Sequence, residues 1–163
     1  MGRKAIEMGP TGRTVGMNIA LFRVKRGLKL AQLSERMTEV GRPMTGNTLS
    51  AIENLTRRAD VDDLVAVAAA LGVSPAALLM PQVADDEDGG IAWRVATSAE
   101  PDPVDDDGVA TVLSGQFWSW LTAEAPLDAP LFHDTGRDEY AVEEWRRGQV
   151  PKFAYHMKPS SRA

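Results

Sequence analysis

Between residues 45 and 54 the chain sets an asparagine, a serine and small neutral neighbours at helical spacing, with paired arginines directly behind them. Thr45 opens a pattern that puts Leu49 and Ile52 on one side and Asn47, Ser50, Ala51 and Asn54 on the other, because residues at i, i+3, i+4 and i+7 share a helix face. An asparagine amide carries a donor and an acceptor in one plane, the pairing that reads an adenine edge in the major groove. Gly46, Ser50 and Ala51 are small enough to let the helix backbone approach another surface closely. Together with Asn47 they are the candidate base contacts. Thr48, Arg57 and Arg58 offer groups that suit backbone phosphates. The same pattern also describes a polar face in water beside two solvated arginines.

Four further helices would hold that segment. The first is expected over about 14–26, with Val15, Ile19, Leu21 and Phe22 apolar and Gly27 stopping it. Leu30, Leu33 and Met37 line a second helix over roughly 30–39, and Leu28 inserts between the two. Pro43 breaks the chain before Thr45 can cap the next helix, because the residue before a proline avoids helical geometry. Asp60 and Asp63 have the spacing of a capping box for a helix over about 61–71 that ends at Gly72. Ser74 followed by Pro75 starts a short helix to Met80, with Leu78 and Leu79 closing the core. These patterns are used up by one core and leave no second apolar face. Residues 1–12, rich in glycine, are expected to form a flexible arm.

Charge divides the chain. The net charge is −5, but residues 1–81 carry 11 Lys+Arg against 7 Asp+Glu, and residues 82–163 carry 7 against 16. A basic front and an acidic rear suit different tasks. No run of ~20 apolar residues exists to span a membrane, and the basic opening MGRKAIEMGPTGR lacks the apolar stretch of a secretory signal. With no cysteine there is no disulfide or thiolate site. A cytoplasmic location is expected.

Behind the front half, residues 82–108 read as an acidic linker. QVADDEDGG and AEPDPVDDDG match no calcium loop, and IAWRVAT between them suits one short strand or a docking segment. Residues 109–158 read as a small helical accessory or dimerisation region. Leu113, Phe117, Trp120 and Leu121 suit a helix over 109–123, and Tyr140, Val142 and Trp145 suit the buried side of a second over 138–147 that ends at Gly148. A proline-rich loop joins them, and 159–163 is expected to be disordered.

NIALFR, RGLKLAQLSERM, TGNTLSAIEN and DDLVAVAAALGVSPAALL together make residues 13–81 resemble the lambda-repressor-like, xenobiotic-response-element (XRE) family of helix-turn-helix regulators. GPTGR, ADVDDL and the Trp118-x-Trp120 spacing look like a subgroup of actinobacteria and their phages. The resemblance implies an all-α fold, with a five-helix DNA-binding domain followed by a small, mainly helical region. It implies that segment 45–54 lies in the major groove of double-stranded DNA. It also pairs an arginine late in the first helix with a glutamate late in the recognition helix, here Arg23 and Glu53. The chain departs from the family pattern at three places. Lys29 and Leu30 replace the usual cap and its following glutamine, Leu55 replaces a glycine, and the turn carrying Arg42 is longer. Lys29 and Arg42 join Thr48, Arg57 and Arg58 as candidate phosphate contacts.

Two function classes stand beside each other. The first is a transcriptional regulator, most simply a repressor, of which a phage immunity repressor is one form. The second is a protein-interaction module, an antitoxin or anti-repressor, that uses the acidic half. Catalysis has little to work with, since His133 and His156 are the only histidines and no P-loop, G-x-S-x-G or G-x-G-x-x-G occurs. Neither a cofactor nor a metal ligand set is expected, and the partners expected are duplex DNA and a second copy through 109–158.

Overall fold

The computed structural model describes residues 8–82, 114–126 and 139–156, and all regular structure among them is helical. In the front segment five helices follow one another: α1 (Pro10–Lys25), α2 (Leu30–Glu39), α3 (Gly46–Glu53), α4 (Val61–Leu71) and α5 (Pro75–Leu79). Ile19, Leu33, Met37, Leu49, Ile52, Val67, Leu71 and Leu78 meet in one core and are essentially inaccessible to water. Each helix supplies at least one of them, so the bundle holds together only when all five are docked.

The helices start and stop where local chemistry dictates. The Thr45 hydroxyl accepts from Thr48 N–H at 3.2 Å, and the Asp60 carboxylate accepts from Asp63 N–H at 2.7 Å. The Ser74 hydroxyl accepts from Ala77 N–H at 3.1 Å. Each bond satisfies one of the orphan donors of a first turn and contributes about 1 kcal/mol. Gly27, Gly41 and Gly72 terminate α1, α2 and α4 in the left-handed region. α3 ends by the same motif, with Thr56 N–H on the Ala51 carbonyl at 2.9 Å and Leu55 N–H on that of Ile52 at 3.0 Å. Its left-handed residue is Leu55, at φ 60°, a conformation that costs a branched L-residue about 1–2 kcal/mol.

α1 begins at Pro10, earlier than its apolar pattern indicates, so residues 10–12 of the expected arm are its first turn. Proline is preorganised for that position, and Met8 folds back over Gly12. Leu21 is only half-buried, because the inward stripe of α1 runs Val15, Asn18, Ile19, Phe22 and Leu21 lies nearly opposite Ile19. Met17 and Val24 on α1 and Val61 and Val65 on α4 are exposed, which corrects the expectation that no apolar surface is left over. VDDLVAVAAAL is apolar nearly all round, so its sequence cannot say which side faces the core.

In the rear half, α6 (Ser114–Leu121) and α7 (Glu139–Gln149) are followed by a 3-10 turn at Lys152–His156. Phe117 and Trp120 approach with ring centroids 5.7 Å apart. Of the expected buried side of α7, Val142 is buried but Tyr140 is 78% exposed. Positions 140 and 142 lie about 200° apart on a helix, so they cannot share a face. Gly148 lies inside α7 rather than ending it, and the helix gives out just before Pro151. Residues 1–7, most of the acidic linker with IAWRVAT, residues 109–113, the proline-rich loop over 126–136 beyond its first residue (His133 included), residues 137–138, and the tail from 157 lie outside the described residues. No described helix is long and apolar enough to cross a membrane.

Candidate nucleic-acid interface

α3 presents its outer face through the two residues it buries. Leu49 and Ile52 enter the core, which turns Asn47 and Asn54 fully outward and leaves Ser50 and Ala51 half-exposed between them. Asn54 donates to the Ser50 hydroxyl at 3.1 Å, so these two side chains hold one another. Gly46 sits on the side of α3 turned towards α2, where a Cβ would lie 3.8 Å from that of Leu30. That is ordinary van der Waals contact, so the position has room for a methyl group; Gly46 faces α2, and Asn47, Ser50 and Ala51 form the outward set.

Two ion clusters fix the helix. At its C-terminal end the Arg23 guanidinium grips Glu53 with Nε and Nη2 at 2.6 and 2.7 Å, while Nη1 donates to the Leu28 carbonyl at 2.9 Å. Both side chains are largely shielded, at 17% and 9% exposure. The hydrogen bond to Glu53 raises the Arg23 pKa, burial opposes it, and the glutamate charge adds to it. A raised arginine pKa gives stability that is complete at neutral pH and is lost only as pH climbs through that value. On the arginine side the tie between α3 and α1 is therefore complete at neutral pH.

Beside the N-terminal end of α3, Asp63 is 1% exposed and accepts from Arg42 Nε and Nη2 at 3.0 and 2.9 Å. It also accepts from Arg57 Nη2 at 3.2 Å. Arg42 Nη2 reaches Asp60 as well, at 3.0 Å, and Nη1 lies 3.7 Å from Asp62. The bond to Asp63 is the main cause that raises the Arg42 pKa, partly opposed by burial. One buried carboxylate thus joins the long turn before α3, the segment after it and the start of α4. Ser34 pins the same turn by donating to the Met44 carbonyl at 2.6 Å.

This arrangement revises the candidate phosphate contacts. Arg42 and Arg57 are engaged by carboxylates of their own chain, whereas Lys29 and Arg58 are exposed at the two flanks of the helix pair. Thr48 is half-buried beside Thr45, their hydroxyls 3.0 Å apart. Gln32 takes up part of the missing cap of α2, accepting from Lys29 N–H at 2.9 Å. A cleft of about 440 Å³ between the turn and α3 is lined by Arg42, Met44, Thr45, Thr48, Arg57 and Asp63.

Three positioning roles escaped the sequence reading, which gave Asp63 only its place in the capping box of α4. Asp63 lies on the inward stripe of α4 with Val67 and Leu71, and a charge on an apolar stripe signals a buried pair. Asn18 lies likewise among Val15, Ile19 and Phe22. It is fully buried and donates to the Leu78 and Met80 carbonyls at 2.9 and 2.6 Å, satisfying the open end of α5. At Gly16 a Cβ would come within 2.6 Å of the Ile52 carbonyl oxygen and of Leu55 Cδ2. That close approach of α1 to α3 carries no signature in the sequence.

Compared with known proteins, residues 19–78 match the family described as Helix-turn-helix. No curated protein and no solved structure matches the chain.

Proposed function

We propose that this chain, whose residues 19–78 match the helix-turn-helix family, is a DNA-binding transcription regulator of the XRE type and a sequence-specific repressor acting on duplex DNA. The observation that carries the reading is the outer face of α3. It is free of charge, it projects Asn47 fully into solvent, and two ion clusters hold it rigidly. Rigid presentation matters because base readout depends on hydrogen-bond geometry. In this reading α3 enters the major groove, Asn47 pairs with a base, and Ser50 and Ala51 allow the close approach. Lys29 and Arg58 hold phosphates, with Thr48 beside them. A repressor needs no more than occupancy of its site, which a domain of this size provides. Its work lies with the chromosome, in the cytoplasm of a bacterial cell, and a prophage regulator is one form it would take.

Selection of bound duplexes from a random DNA pool tests the reading. A recovered motif is expected, with affinity that falls steeply as salt rises. Recovery of no preferred sequence would overturn it, and a stable protein partner without duplex binding would favour the antitoxin or anti-repressor class. Trp118 and Trp120, 38% and 36% exposed on α6, favour self-association through the rear half. Two recognition helices would then sit about 34 Å apart on a pseudo-palindromic site. Sedimentation of the full chain reads this directly, and a monomer at micromolar concentration would exclude it.

A further inference from the structure

The cluster beside α3 holds three carboxylates, Asp60, Asp62 and Asp63, around the two guanidiniums of Arg42 and Arg57. Their roles differ. Asp63 is buried, and Asp60 caps α4 through the Asp63 N–H. Asp62 is 81% exposed and stands 3.7 Å from Arg42 Nη1, beyond hydrogen-bonding distance. Arg42 commits Nε and Nη2 to Asp63 and Nη2 also to Asp60, so Nη1 is the edge that Asp62 overlooks. Of the cluster, Arg42, Arg57 and Asp63 line the cleft shared with Thr45 and Thr48, while Asp60 and Asp62 stand outside that lining and bring the whole cluster to a net negative charge. Through that cleft the cluster adjoins the start of α3, the helix assigned above to the major groove.

We propose that Asp62 competes with a DNA phosphate for the outer edge of Arg42 and so holds down the affinity of this chain for duplex of any sequence. The inference rests on the DNA-binding reading above. With Asp62 in place, Arg42 is neutralised by its own chain and releases no counterion when the strand arrives. Without that charge, the cluster becomes neutral and Nη1 takes a phosphate as its partner. Backbone attraction is independent of sequence, so such a brake limits the time spent on the many wrong sites without altering any base contact.

The test compares the full-length chain with Asp62→Asn, using random-sequence duplex DNA as probe across a salt titration. The control is Glu35→Gln, which removes a carboxylate exposed on α2. Asp62→Asn is expected to bind about three- to tenfold tighter at low salt, with a slope of log K on log salt steeper by about 1. The gain should fade as the Debye length shrinks to about 3 Å near 1 M salt. Thermal unfolding should stay near that of the parent, because the residue is exposed and bonds no cap. Unchanged affinity and slope would overturn the proposal, and so would an equal gain in Glu35→Gln, which would mark a general charge effect. Absence of random-duplex binding in parent and variant alike also overturns it. The DNA reading would still stand if the pool selection recovers a motif, and would fall with it if no motif appears.

Discussion

The front and rear of this molecule are both helical and both carry large apolar residues, yet they use them differently. In the front, Leu49, Ile52 and their neighbours are sealed from water, and two ion clusters lock the helix that exposes Asn47. In the described parts of the rear, Ala125 and Val142 are the buried apolar residues, while Trp118, Trp120, Tyr140 and Phe153 stand exposed. Amphipathic pattern alone therefore does not make a core. Closure requires enough helices to seal one shared core, and the five short helices of the front achieve it although Met17, Val24, Val61 and Val65 stay outside.

The largest expected effect strikes the lock between α1 and α3. Glu53→Ala should destabilise the front by about 3–5 kcal/mol, because Arg23 would keep its charge in a shielded site with the Leu28 carbonyl but no carboxylate to balance it. Urea unfolding measures it. A loss within 1 kcal/mol of zero, like that of a surface pair, would show that the two regions are equally loosely held at this point. Next, Leu49→Ala should cost about 2–5 kcal/mol through the cavity it leaves. Trp120→Ala should cost under about 1 kcal/mol in the same experiment, in line with an exposed position. Equal losses from the two truncations would erase the distinction between the regions.

Asn47→Ala should leave both regions folded and weaken binding to a selected duplex by about 1–3 kcal/mol, with much less effect on random DNA. Gel-shift titration on the two probes checks it, and equal losses on both would remove the direct-readout role. Gly16→Ala should destabilise the front by about 1–3 kcal/mol, since the added Cβ collides with the α3 backbone and with Leu55. The smallest effect is expected from cutting the halves apart. A fragment ending at Gln82 should keep the thermal midpoint of the front to within about 4 °C, the shift that 1 kcal/mol produces in a small domain. A larger drop would show that the rear supports the front after all.

Helix positions in the front were legible because each signal was local. Caps at Thr45, Asp60 and Ser74, the stops at Gly27 and Gly72, and inward residues at 3.6-residue spacing all act within one or two turns. The outward set Asn47, Ser50 and Ala51 followed from the same periodicity. The rear was less legible, since Tyr140 and Val142 cannot lie on one face and Gly148 did not stop its helix.

Sequence by itself thus determined the five helices, most of the core residues outside α4, the polar face of α3 and, through the family pattern, the pairing of Arg23 with Glu53. Tertiary structure alone decided how charge is spent around that face. Arg42 and Arg57 read as free cations along the chain, but the start of α4 folds back and brings Asp63, 21 positions from Arg42 and six from Arg57, between the segments that carry them. It also decided that Gly16 must be glycine-sized and that Leu55 accepts a left-handed backbone to lie over it. Local patterns report which side of a helix is buried. They do not report which other segment arrives there, and ion pairing and close approach depend on that arrival.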